Sequence, residues 1–138
     1  MKPVHFLAFV LAIAVVGAQV SSARSTYRPI VLKQYKLEKN ASANKAGCQF
    51  CHVNAFGGSG WNGFGQALKD QLATSSGVNQ ALFDLLKKNA DSDKDGFKDV
   101  LEVVAGTLPG DAKSKPTAKA ADLEAKLKKM GGVSAFKP

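Results

Sequence analysis

The stretch Cys48-Gln49-Phe50-Cys51-His52 constrains this chain more than any other. It has the C-x-x-C-H spacing of covalent haem attachment. Two thiols three positions apart can each form a thioether to one vinyl group of a single haem, and the adjacent imidazole can then bind the iron from the proximal side. These are the only two cysteines in the chain, so no third thiol competes for either. The main competing reading is a plain Cys48–Cys51 disulfide. A thioredoxin-type redox site needs a strand before the motif and a helix after it, and no strand pattern precedes Cys48.

The residues after the motif suit a planar cofactor. From Asn54 to Gly65, five of twelve residues are glycine and three are aromatic (Phe56, Trp61, Phe64). Glycine allows close backbone approach, and aromatic rings supply flat apolar area. The segment is therefore read as a loop facing the haem, against the alternative of a flexible linker.

Residues 1–23 read as a secretory signal peptide. Lys2 supplies positive charge, Phe6 to Val16 is a short apolar run, and small-residue cleavage sites follow at Ala18 and Ala23, with Ala23 preferred. The run is short for a bilayer span, which needs about 20 residues. The expected mature product is one domain, residues 24–138, with no stable membrane span after cleavage, located in the periplasm or secreted. Export is consistent with covalent haem attachment, which bacteria complete outside the cytoplasm.

The formal charge is +8, and its lysines are scattered rather than gathered into a groove with interleaved aromatics. That pattern argues against nucleic-acid binding. A positive surface can steer an acidic redox partner, and it can equally serve solubility alone.

A second motif lies at Asp91-Ser92-Asp93-Lys94-Asp95-Gly96-Phe97-Lys98-Asp99-Val100-Leu101-Glu102. It matches the twelve-position calcium loop. Asp91, Asp93 and Asp95 would supply carboxylate oxygens, and Gly96 would allow the sharp turn. Phe97 would offer its carbonyl, Asp99 would bind directly or through water, and Glu102 would close the site with both oxygens. The alternative is an acidic turn capping a helix N-terminus, but four close aspartates repel one another without a cation. One unpaired loop suits a structural ion better than a sensor.

Apolar spacing predicts a helix over 66–73, a second over 80–89 capped by Asn79, a helix or turn from Val100 onward, and a last helix over 117–130. Arg24 to Asn40 is expected to be an extended or irregular arm because Pro29 opposes an early helix. Ala41 to Gly47 is expected to be a loop, with a short helix over 48–53, and the residues after Gly132 are expected to be loose. The fold class is thus mostly α: a small single-domain, cytochrome-like helical fold wrapped around one haem, with long loops.

Haem iron needs at least one axial ligand, and His52 is the first. His5 would leave with the signal peptide, so Met130 becomes the candidate distal ligand, and a Met/His pair would raise the reduction potential. A five-coordinate iron, or a Lys or Asn ligand such as Asn54, competes with it.

These residues resemble a monohaem c-type cytochrome domain. The segment from Cys48 to Leu68 is also similar to a group of bacterial secreted proteins in which the thiol motif, a glycine cluster and an N-x-F-G-Q-A stretch (Asn62 to Ala67) precede a calcium loop. The glycine-rich stretch and the acidic loop look like those of the temptin family of attractants. Asp91 to Pro109 resembles thrombospondin type 3 calcium repeats followed by a G-T-x-P turn. The resemblance implies haem c and Ca2+ in one exported domain, and the chain is not expected to be an enzyme. The expected function is single-electron relay through one covalent haem, stabilised by calcium. The alternatives are a secreted calcium-binding adhesion or signalling module with a Cys48–Cys51 disulfide, and a five-coordinate haem ligand sensor.

Overall fold

The computed structural model describes residues 26–138. The signal-peptide segment, residues 1–23, lies outside them. Six α-helices run in chain order: α1 Tyr27–Gln34, α2 Ala41–Ala46, α3 Gly63–Leu72, α4 Val78–Lys87, α5 Asp99–Ala105 and α6 Ala120–Lys129. Two 3₁₀ turns, Gly47–Phe50 and Gly132–Phe136, complete the set, and no strand occurs among the described residues. The chain is a small, mostly helical single domain.

Helix α4 is the centre. Its Ala81, Leu82, Leu85 and Leu86 are all buried, and α1, α3, α5 and the C-terminal 3₁₀ turn pack on it. This is the wide apolar stripe that a core helix needs. Helix α5 is buried on nearly all sides, from Asp99 through Val104. Helix α6 buries only Leu123 and exposes lysines. One of them, Lys126, turns back to donate to the Val104 carbonyl at 2.9 Å, a favourable place for a cation near the C-terminal end of α5.

Three expectations for the chain's ends are corrected. The expected N-terminal arm is the helix α1. Pro29 sits in its first turn, where the missing N–H has no intrahelical partner to lose. The helix closes with Lys36 in a left-handed conformation (φ 57°) and Leu37 N–H on the Leu32 carbonyl at 2.7 Å. Residues 41–46 are helix rather than loop, because the Asn40 side chain accepts from Ala43 N–H at 2.8 Å and caps them. The C-terminal tail is anchored: Phe136 is buried, and Gln34 donates to its carbonyl at 3.0 Å.

Four aromatic rings form the floor beneath the thiol motif. Tyr35 lies 6.2 Å from Phe50, 6.4 Å from Phe64 and 5.9 Å from Phe136, centroid to centroid. These are the tilted and edge-to-face separations that aromatic pairs prefer. The Tyr35 hydroxyl donates to the Leu82 carbonyl at 3.0 Å, tying the cluster to α4. Burial holds the phenol pKa well above its ordinary value, with Cys51 and Asp99 adding to the rise.

Candidate functional site

The structure gathers Cys48, Cys51 and His52 at the end of the first 3₁₀ turn. Cys51 N–H and His52 N–H both bond the Cys48 carbonyl, at 3.1 and 2.9 Å. The turn stops at Phe50 instead of running as a helix through 53. A hairpin follows. His52 pairs with Trp61 in a single antiparallel bridge, framed by Val53 N–H on Gly60 O (3.0 Å) and Asn62 N–H on Cys51 O (3.1 Å). The His52 and Trp61 rings stack at 4.2 Å.

The thiols are not joined to each other. Burial, with Cys48 beside it, pushes the Cys51 thiol up to about 12. At that value Cys51 stays a protonated thiol at neutral pH and is not itself the attacking thiolate of an exchange reaction. A cavity of about 350 Å³ opens beside the motif, lined by His52, Val53, Gln49, Asn62, Asp111 and Lys113 among others.

Cys48 and His52 could meet a covalently attached haem on one side, whereas Cys51 packs against the core. Cys48 Sγ and the edge of the His52 ring converge on Gly57: a Cβ there would meet Sγ at 3.7 Å and His52 Cδ2 at 3.8 Å. Gly57 has φ +79°, so a larger residue would also be strained. The exposed large apolar side chains among the described residues are Phe56 (96%), Val53 (63%) and Trp61 (42%), all in the hairpin after Cys51. The cavity is at the small end of ligand pockets, roughly 300–1,000 Å³. A porphyrin would therefore lie against a face rather than inside the core. His52 Nδ1 is buried without a partner among the described residues.

Of the distal candidates named from the sequence, neither Met130 nor Asn54 lines the cavity beside His52. Met130 ends α6 and packs against the core, and it does not line the cavity beside His52. Asn54 is exposed in the hairpin. The glycine–aromatic segment divides in two. Phe56 and Trp61 stay with the thiol motif, whereas Phe64 is fully buried in the core because α3 already starts at Gly63.

The acidic loop is a second site. Carboxylate oxygens of Asp91, Asp93 and Asp95 all lie within 4.8 Å of one another. Asp91 accepts from Gly96 N–H at 3.0 Å and from Asp95 N–H at 3.2 Å. Asp95 accepts from Phe97 N–H at 2.7 Å. These bonds shape the turn, with Gly96 at φ 96° and Lys94 at φ 63°. Glu102, from α5, is 0% exposed. Both its oxygens, together with Asp93 Oδ2 and Asp95 Oδ2, are buried without a hydrogen-bond partner among the described residues.

Four buried carboxylate oxygens without donors are costly unless a cation or protons meet them. Burial, reinforced by Asp93, Asp95, Asp99 and Asp91, pushes Glu102 up to about 9. Burial likewise raises Asp93 to about 6, despite the Asp95 N–H that favours its charged form. A hard divalent cation fits this donor set: all oxygen, several carboxylates, one closing glutamate. Asp91, Asp93, Asp95 and Glu102 would hold it.

Asp99 does different work. One oxygen accepts from Ser92 N–H at 2.8 Å and the other from the Ser92 hydroxyl at 2.7 Å. Its N–H closes the loop on the Ala90 carbonyl at 2.8 Å. Burial raises its pKa. Asp99 thus braces the loop through one hydrogen bond to each oxygen. The Phe97 ring sits under Lys115 Nζ at 5.3 Å, and Lys115 also donates to the Asp95 carbonyl.

Sequence reasoning missed Asn62 and Lys115. Asn62 is only 8% exposed. Its amide donates to Gln49 O at 2.8 Å, and its Oδ1 caps α3 by accepting from Gly65 N–H at 2.8 Å. The Asn-Gly-Phe-Gly string before a helical pattern was a legible N-cap signal.

No protein-family model, curated protein or solved structure matches this chain. Among the described residues, no helix is long and apolar enough to cross a membrane.

Proposed function

We propose that this chain is an exported c-type haem domain that relays single electrons and is stabilised by one bound calcium. The observation that carries the reading is the apolar patch of Val53, Phe56 and Trp61, standing unburied beside two thiols and an imidazole in C-x-x-C-H order. Water-exposed apolar area of this kind marks a face that something covers. In this reading Cys48 and Cys51 hold the haem covalently, His52 binds its iron, and the hairpin supplies the apolar face. Lys113 and Asp111 put one charge of each sign in the cavity lining. When bound, haem supplies the one-electron chemistry, and the chain supplies ligation, burial and field. The surplus of lysines steers an acidic redox partner.

A pyridine haemochrome spectrum of the exported protein tests the proposal. A thioether-type spectrum at one haem per chain is expected. A haem-free chain with Cys48 and Cys51 oxidised to a disulfide would sink the reading in favour of a secreted calcium module.

The five-coordinate sensor stands as a second reading. It is supported by Met130, which packs on the core at the end of α6 and does not share the cavity of His52. The ferrous spectra of wild type and Met130→Ala separate the two. Identical ligand bands, with ready uptake of a small ligand such as carbon monoxide, favour the open iron. Loss of the low-spin bands in the variant favours the electron carrier.

A further inference from the structure

Two sites that lie far apart in sequence meet through one short string, Asn62-Gly63-Phe64-Gly65. Gly63 lies so close to the acidic loop that a Cβ on it would overlap the Ser92 carbonyl. Gly65 lies as close to the thiol turn, where a Cβ would overlap the Cys51 carbonyl. Between them, Asn62 sends its amide to the carbonyls of Gln49 (2.8 Å) and Phe50 (3.4 Å) and its backbone N–H to that of Cys51 (3.1 Å). Gly110, from the turn after α5, packs against the same amide with no room for a side chain. At the other end, Ser92 is gripped by both oxygens of Asp99. Asp99 opens α5, the helix that carries the fully buried Glu102 into the acidic cluster.

We propose that Asn62 is a positioning residue that transmits cation binding at the acidic loop to the Cys48–Cys51–His52 turn. The proposal rests on the calcium reading of the loop and is independent of whether haem is attached. A cation drawing Glu102 and the aspartates together sets the seat of Asp99 on Ser92. Ser92 abuts Gly63 without slack, so the seat of the loop fixes the start of α3. Asn62, the cap of α3, then fixes the three carbonyls of the thiol turn. Close-packed contacts of this kind pass on displacement because neither partner has room to yield. Calcium thereby orders the turn that presents both thiols and the imidazole.

Amide hydrogen exchange on the full chain, with calcium and with chelator, tests this. Calcium binding is measured in parallel by calorimetry. In wild type, the amides of Cys51, His52 and Asn62 lose about tenfold or more of their protection when calcium is removed, while those of Leu85 and Leu86 in α4 change less. Asn62→Ser keeps an N-cap oxygen but loses the amide donor. In this variant calcium still binds, and protection at Cys51 and His52 is low with or without it. Ser92→Ala removes one of the two Asp99 bonds and weakens the coupling in part, which serves if Asn62→Ser folds poorly. A chain that binds calcium but leaves the Cys51 and His52 amides unmoved overturns the coupling alone. So does calcium dependence of full wild-type size in Asn62→Ser, or in Ser92→Ala where the former does not fold. A chain that binds no calcium overturns the calcium reading and the coupling together.

Discussion

Glu102 concentrates the electrostatics of the acidic loop in one side chain. Its carboxyl titrates at about 9 in the fold against an ordinary value of 4.5. A raised carboxyl pKa means that the folded state holds a proton the unfolded chain has lost. In cation-free protein this contribution to stability is complete below the ordinary value, declines as pH rises, and is gone above about 9. Urea melts in chelator at several pH values check that slope. Calcium must displace the proton, so binding at pH 7 releases about one proton, and affinity climbs about tenfold per pH unit toward 9. Calorimetry in buffers of different ionisation enthalpy reads the proton directly. Glu102→Gln keeps the shape and removes the charge. Its calcium affinity falls at least about a hundredfold, while its cation-free form gains stability above pH 7, because no buried charge need form.

The start of α3 shows an element whose stability is set by its neighbours. Replacing a helical glycine by alanine ordinarily gains about 1 kcal/mol. Gly63→Ala reverses that sign, because the new methyl group overlaps the Ser92 carbonyl. A loss of about 1–3 kcal/mol is expected, the usual cost of overpacking, and denaturant titration measures it. Helix α4 presents the opposite case, a filled core position with no strain. Leu82 is fully buried on it, so Leu82→Ala leaves a cavity and costs about 2–5 kcal/mol. Neither change touches a cysteine, so the thiol turn of any folded variant stays chemically intact.

For the whole molecule, the proposed calcium would act as a ligand that binds the folded chain alone. At a hundred times its dissociation constant such a ligand adds about 2.7 kcal/mol. For a domain of this size that is roughly 10–20 °C in melting temperature. A thermal melt with calcium and with chelator reads the shift, and coincident melts would remove the structural role of the ion. The core itself is helix on helix around α4, closed at one end by Tyr35, Phe50, Phe64 and Phe136. The thiol motif joins that cluster through Phe50, and Cys51 packs against the core beside it.

Local chemistry was legible in the residues themselves. The spacing of Asp91, Asp93 and Asp95 foretold that their carboxylates would come together, because a tight acidic turn brings those positions close whatever surrounds it. Apolar periodicity foretold α3, α4 and α6 to within a few residues at each end. Other features were decided only by long-range contacts. Asp99 stands at a ligand position of the loop, and only the fold shows that both its oxygens meet Ser92. Phe64 reads as part of a haem-facing loop, yet an early start to α3 sends it into the core. Residues 27–37 carry no helical stripe strong enough to overcome Pro29 on paper, yet burial of Val31, Leu32, Tyr35 and Leu37 makes the helix. Sequence alone determined which groups this chain can offer a metal or a haem. Tertiary packing decided which of those groups share a site, because burial and close contact depend on residues that are distant along the chain.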